Sequence, residues 1–328
     1  MRVKKLTVLF FFLCVLGRAQ TPDKGKDIIQ KSIAALGGDR FLHMQNRVAS
    51  GRIYAFFRDQ VSGLDVATVY TEYLPQRPAK GLAIREREVL GKKQDYSYLF
   101  LETQGWDITF RGARPIPDED WQRYVRTTEH DILYMLRYRI NEPGMLFDYV
   151  GGDVYLTTPV DIVDLTDAQN QTVRVYFDQN THLPVHESFT WLDPDTHQRN
   201  EEVTEFDKYR DTGGGIMWPY SIERERNGYK TSQIFARQVQ SNQALPAKIF
   251  ELPPGAKLLR KVGEQNSDRE GGEFIRFLPQ LRTGLRCWEP LHVGPAPDKR
   301  HVELAGSYNG SRCAGIVVPA AISGWPEG

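Results

Sequence analysis

Residues 173–191, VRVYFDQNTHLPVHESFTW, constrain the fold more than any other stretch of the chain. Val173, Val175 and Phe177 fall on one side of an extended chain. After the turn, Val185, Phe189 and Trp191 share a face, while Arg174, Tyr176, His186, Ser188 and Thr190 occupy the other. Side chains alternate across a strand, so this is a hairpin with one dry face and one wetter face, as an antiparallel sheet requires. Such a sheet must lay its dry face on something. Much of the remaining chain repeats the pattern: RVASGRIYAFF, DVATVYTEYL, AKGLAIREREVL, QDYSYLFLE and WDITFRG are rich in β-branched and aromatic residues and separated by turn residues. Gly213-Gly214-Gly215 reads as a turn between strands, and Asn227-Gly228 is a strong short signal for a tight hairpin.

Two segments break the pattern. In DKGKDIIQKSIAALGG, Ile29, Ile33 and Leu36 recur at helical spacing, and Gly37-Gly38 supplies a C-terminal stop. In PDEDWQRYVRTTEHDILYMLRYRI, the apolar positions Trp121, Val125, Ile132, Leu133, Leu136 and Ile140 predict one amphipathic helix over 118–140. Asp118, Glu119 and Asp120 suit the positive end of its dipole, and Arg137 and Arg139 the negative end. Such a helix either covers one end of a β-core or acts as a lid over an apolar cavity.

The ends differ in kind from the middle. Residues 1–19 place Arg2, Lys4 and Lys5 before the apolar run Leu6–Leu16 and finish on Gly17-Arg18-Ala19, the layout of a cleavable signal peptide. That run is shorter than the ~20 residues of a permanent span. The mature protein is therefore expected to be exported, soluble and periplasmic, with one domain over 20–260. After IFELPPGAK the strand pattern stops, and residues 261–328 read as an irregular or disordered tail, or as one translated from an altered frame. Cys287 and Cys313 lie in it and can pair in an oxidising compartment.

Charge and motifs exclude several classes. Lys+Arg and Asp+Glu both number 42, so no cationic excess is available to hold nucleic acid. There is no G-x-S-x-G elbow, H-E-x-x-H pair, phosphate loop or dinucleotide fingerprint. His182 and His186 sit about 13 Å apart if extended at ~3.3 Å per residue, too far for one metal ion. Glu129, His130 and Asp131 are adjacent and point apart on a helix. No metal, cofactor or catalytic set is expected, and an enzyme of unrecognised type ranks third among the functional alternatives.

The helix ending in ALGG, the hairpin YFDQNTHLPV, the run DKYRDTGGGIMWPYSI and the closing IFELPPGAK together resemble the LolA/LolB-like lipoprotein-sorting superfamily, in its poorly characterised exported bacterial branch. The likeness covers roughly residues 24–258 and rests on turn and strand patterns. It implies an unclosed antiparallel β-barrel, mainly β with α, wrapped around the N-terminal helix and a mid-chain lid helix. It also implies an apolar cavity for the acyl chains of a lipid or lipoprotein, and partners among envelope membrane proteins. On that expectation the ligand-binding candidates are Val175, Phe177, Phe189 and Trp191 from the sheet, with Trp121, Leu133 and Leu136 from the helix. The alternative function is an envelope scaffold or protein-interaction module without a lipid ligand.

The signal layout generates the first testable expectation. N-terminal sequencing of the protein from its native host should begin at Gln20 or within a few residues of it, whereas intact Met1 in a cytosolic fraction would contradict export.

Overall fold

A computed structural model describes residues 23–261. Residues 1–22, which include the expected signal segment, and residues 262–328, which include Cys287 and Cys313, lie outside the described residues. The chain divides into two units, 1–287 and 288–328, and every described residue belongs to the first.

The chain begins with α1 (Asp23–Leu36) and the single turn α2 (Asp39–Leu42). Ile28, Ile29, Ile33 and Leu36 of α1 are all buried. The helix stops where the sequence says it should: Gly37 takes φ 126°, Gly38 takes φ 60°, and the Gly38 N–H returns to the Ile33 carbonyl at 2.8 Å. Six strands follow: β1 (Asn46–Phe57), β2 (Gln60–Tyr73), β3 (Ile84–Leu90), β4 (Tyr96–Phe100), β5 (Gly105–Thr109) and β6 (Gly112–Pro115). Two helices come next, α3 (Asp118–His130) and α4 (Ile132–Tyr138). The remaining strands are β7 (Leu146–Tyr155), β8 (Thr158–Thr166), β9 (Thr172–Asp178), β10 (Pro184–Leu192), β11 (Arg199–Asp211), β12 (Met217–Arg226) and β13 (Tyr229–Ser241).

All thirteen strands form one sheet in the order β6-β5-β4-β3-β2-β1-β13-β12-β11-β10-β9-β8-β7, and every pairing is antiparallel. The first and last strands meet in the middle, so the two edges, β6 and β7, are consecutive in sequence. The barrel does not close. The chain instead leaves one edge at Pro115, runs through α3 and α4, and returns on the other edge at Leu146. Covering the concave face is therefore built into the chain path.

Local chemistry explains the turns. Asn227 and Gly228 both have positive φ, 52° and 77°, which a two-residue turn between β12 and β13 requires. In the loop after β11 the Asp211 carboxylate accepts the N–H groups of Gly213 at 2.7 Å and Gly215 at 3.1 Å. The closing IFELPPGAK belongs to the fold. Phe250, Leu252 and Ala256 pack on Leu99, Ile108 and Ala113, on the outer side of β4–β6. Leu258 then bridges Ala113 in parallel, extending the β6 edge.

The expectation of a single helix over 118–140 requires correction. It breaks at Asp131, which has ψ 125°, and the Asp131 side chain caps α4 by accepting from Leu133 N at 2.9 Å and Tyr134 N at 3.4 Å. The five residues 132–136 are all buried. No single helix face could bury five consecutive residues; α4 is an internal helix with sheet on several sides.

The approach of α1 to the β7 edge depends on Gly25, where a Cβ would run into the Phe147 carbonyl oxygen. Alanine in place of a helical glycine ordinarily stabilises by about 0.5–1 kcal/mol. Here the sign should reverse, with Gly25→Ala destabilising by about 1–3 kcal/mol in urea unfolding; a stabilised variant would contradict the packing.

Candidate functional site

The inward positions of the sheet follow from its register. In the C-terminal half, Val163, Val175, Glu187, Thr204, Arg224 and Ser232 form one cross-strand row from β8 to β13. The next row runs Leu165, Val173, Phe189, Glu202 and Arg226. Each row is aliphatic or aromatic at its β8–β9 end and ionic towards β12. The apolar ends pack on α1 and α4 in one core with Ile29, Ile33, Leu36, Ile132 and Leu136.

The ionic ends hold the helical segment. The Glu187 carboxylate accepts the Ile132 N–H at 2.7 Å, at the first residue after the break between α3 and α4. Asp131 lies 3.6 Å from Arg224. One row further, Glu202 accepts from Arg226 Nη2 at 2.7 Å, from Trp191 Nε1 at 3.1 Å and from Thr127 Oγ1 at 3.1 Å. Burial pushes the Glu187 carboxyl well above the usual carboxylate range, and neighbouring Asp131 adds to the effect. Burial also raises Asp131, against the opposing pull of Arg224. Glu202 goes the other way. Burial acts to raise it, but Arg226 and Arg126, with the hydrogen bonds from Arg226 and Thr127, bring it below the usual range.

The far end of the segment is tied to both halves of the sheet. Tyr134 Oη accepts the Ala83 N–H at 3.0 Å, and Tyr138 Oη donates to the Leu74 carbonyl at 2.8 Å. Arg137 donates to the carbonyls of Phe41 and Met44, the latter at 2.8 Å, and Arg139 pairs with Asp167 at 2.8 Å.

The N-terminal half of the concave face carries smaller residues. Ala49, Gly51, Ala55 and Ala67 occupy inward positions of β1 and β2, and Ala236 the facing position of β13. Beside α3 and α4, a chamber of about 750 Å³ remains over β1–β5 and β12–β13. Ile53, Val69, Leu90, Tyr96 and Tyr98 line it from the early strands, Ile222 and Ile234 from the late ones, and Tyr124, Leu133 and Tyr134 from the helices. Tyr96 and Tyr98 meet edge to face at 5.1 Å, and Phe100 stacks on Tyr124 at 3.9 Å. At the rim, the β5–β6 turn leaves Phe110 81% exposed beside Arg111.

The chamber is not purely apolar. Eight carboxylates and six guanidinium groups contribute to its lining. One inward row of the early strands reads Ala49, Val69, Glu88, Tyr98, Asp107 and Arg114, and the adjacent one Arg47, Thr71, Glu86 and Phe100. In the second, Arg47 donates to Thr71 Oγ1 at 2.9 Å and Thr71 donates to Glu86 Oε2 at 3.1 Å. The site offers an apolar wall and ionic rows side by side, which suits an amphiphile.

Of the seven sequence candidates, Leu133 lines the chamber. Leu136, Val175, Phe177 and Phe189 are inward as expected, but they belong to the packed core with α1 and α4. Trp191 packs against that core, with the Arg126 guanidinium 3.4 Å over its ring. Trp121 packs on a separate cluster with Tyr124, ring centroids 5.7 Å apart. His130, adjacent to Asp131 in sequence, stacks on Phe189 at 4.4 Å. Sequence reasoning missed Glu187, although strand alternation alone places it between Val185 and Phe189 on the dry face. It also missed Ala49 and Ala236, the small inward residues that line the chamber.

Among the described residues, no cluster of three or more His, Cys, Asp or Glu has the geometry to hold a metal ion, and no helix is long and apolar enough to cross a membrane. No protein-family model matches the chain, and no curated protein does. Solved structures similar to it are of the lipoprotein-sorting, DUF1329 and LolA-superfamily types. A domain from Vibrio parahaemolyticus classed with outer-membrane lipoprotein-sorting proteins shares 10% identity over 70% of this chain and 97% of its own, with a TM-score of 0.48. A DUF1329 family protein from Desulfovibrio piger shares 12% over 69% and 96%, with a TM-score of 0.49. A LolA superfamily protein from Nitrosomonas europaea shares 12% over 69% and 96%, with a TM-score of 0.42. These are likenesses of chain path and assign no activity.

The raised Glu187 pKa gives a pH prediction. The unfolded chain loses this proton near the ordinary carboxylate value of about 4.3, whereas the folded protein retains it to higher pH. The associated stability is full below that value and is lost as pH rises towards the folded pKa. Glu187→Gln keeps an oxygen for the Ile132 N–H and cannot ionise. Its melting temperature relative to wild type should therefore climb between pH 4 and pH 8, a tenfold difference in proton affinity between the folded and unfolded chain being worth about 1.4 kcal/mol. A constant difference in melting temperature across that range would contradict the assignment.

Proposed function

We propose that the protein binds an amphiphile non-covalently in the chamber: a lipid, or a polypeptide carrying a lipid, whose acyl part lies on the wall of Ile53, Leu90, Tyr96, Ile222 and Ile234. One observation carries this reading. About 750 Å³ lies between the helices and the early strands, within the ~300–1,000 Å³ of small-molecule sites. A folded interior is otherwise packed to crystal-like density, and a space this large forfeits contacts that its own side chains could have made. The ionic rows beside the apolar wall supply groups for the polar part of the ligand. With the signal layout of residues 1–19, the setting is the periplasm and the role is that of an exported carrier.

A second reading keeps the site and changes the occupant. Eight carboxylates and six guanidinium groups are more than an acyl chain can use, so the charged lining favours a polypeptide segment held without lipid, as in an envelope scaffold or interaction module.

Filling the chamber tests the first reading. Ala49 lines it and lies at an inward position on β1. Ala49→Phe should weaken binding of a fluorescent fatty-acyl probe at least tenfold, while Val66→Phe on the convex face should leave it unchanged. Both variants should melt within a few degrees of wild type. Unaltered binding by a folded Ala49→Phe would sink the chamber as the acyl site.

A further inference from the structure

We propose that the chamber also accepts a segment of its own chain, residues 274–286, FIRFLPQLRTGLR, as a displaceable occupant. Three observations converge on this. The first is where the described chain ends. Leu258 bridges the β6 edge, the Leu259 N–H donates to the Ala113 carbonyl at 2.8 Å, and Leu259 is itself part of the chamber lining. The Lys261 ammonium then pairs with Asp118 at the start of α3, beside Pro117 and Asp120, which also line the chamber. The chain is thus delivered to the rim.

The second observation is reach. The twelve residues 262–273, VGEQNSDREGGE, separate that rim from the segment. Extended, they cover up to about 40 Å at ~3.3–3.6 Å per residue, more than enough to return into the chamber. A tether of this length sets an effective concentration in the millimolar range, so a weak contact suffices for occupancy.

The third is complementarity. The lining carries two more carboxylates than guanidinium groups, eight against six. The segment carries Arg276, Arg282 and Arg286 and no acid, interleaved with Phe274, Ile275, Phe277, Leu278, Leu281 and Leu285. Glu86 and Glu88, buried on β3, and Asp107 on β5 present carboxylates of the kind a guanidinium fork pairs with in two parallel hydrogen bonds. A carboxylate has more acceptor positions than one donor fills, so these groups can take an arginine in addition to the partners they already have. The arginines bring the charge of the enclosure towards balance, and the aromatic and leucine side chains cover the apolar wall.

Photo-crosslinking in the full chain tests this without any lipid. With p-benzoylphenylalanine replacing Tyr96 in the chamber, irradiation should join position 96 to a peptide from 274–286 of the same molecule. Mixing isotope-labelled and unlabelled chains identifies the molecule of origin. The same group replacing Val66 on the convex face should give no such product. Absence of the product, or a product only with another molecule's segment, would overturn the proposal. A second measurement uses the full chain with Arg276→Glu, Arg282→Glu and Arg286→Glu. Cross-linking from position 96 to the segment should fall at least fivefold, and undiminished cross-linking would remove the charge argument on which the proposal stands. The two proposals fail separately. Cross-linking without acyl binding by any variant upholds the segment and sinks the lipid reading; acyl binding without the cross-link does the reverse.

Discussion

The buried contact between the Glu187 carboxylate and the Ile132 amide, 2.7 Å long, anchors the start of α4 on the concave face of the sheet. An open sheet whose two edges are joined by one segment will have that segment across its concave face, but the path alone does not say how deep it lies or towards which side. The segment breaks at Asp131, and the break exposes amides that must find acceptors in a dry interior. Asp131 takes those of Leu133 and Tyr134, and Glu187 takes that of Ile132. Glu187 belongs to the same cross-strand row as Arg224 on β12, and Asp131 lies 3.6 Å from that arginine. The Ile132, Leu133, Met135 and Leu136 side of α4 thereby completes a core with α1, while Tyr134 and Tyr138 pack towards β3 and β4, and the chamber lies beside them over the early strands. Packing and cavity are two consequences of one placement.

That placement explains which parts of the molecule were legible in the sequence. Alternation in β9 and β10, the Gly37-Gly38 stop, the Asn227-Gly228 turn and the Gly213–Gly215 loop are governed by nearby residues, and each forms as read. The break at Asp131 is different, because apolar positions continue at helical spacing on both sides of it. Its signal was the unbroken run ILYML at 132–136, too wide for one face of a surface helix. The candidate site suffered from the same limit. Alternation correctly put Val175, Phe177 and Phe189 on the concave face, but it cannot say which stretch of that face the helices fill. The useful sign lay in the small inward residues Ala49 and Ala236, whose meaning depends on contacts distant in sequence.

The chamber's mixed lining bears on what the site can do. A purely apolar pocket would select for hydrocarbon and little else. Here the rows of β3–β6 bring carboxylates and guanidinium groups within the same enclosure as Tyr96, Tyr98 and the aliphatic wall. Such groups add little affinity when already satisfied by one another, but they reject an occupant that leaves them unpaired. Specificity would then come from the polar part of the ligand, with affinity from the apolar area it covers. A basic stretch of polypeptide and the acyl chain of a lipid would compete for one enclosure.

The proposed function places ligand over the early strands and not among the residues packed around α1 and α4. Mapping the sites labelled by a fatty acid carrying a diazirine on its chain tests this most directly. Saturable labelling is expected at Ile53, Leu90, Tyr96, Tyr98, Ile222 or Ile234, suppressed by excess unlabelled fatty acid. Labelling concentrated on Val175, Phe177 and Phe189, or none that saturates, would contradict it.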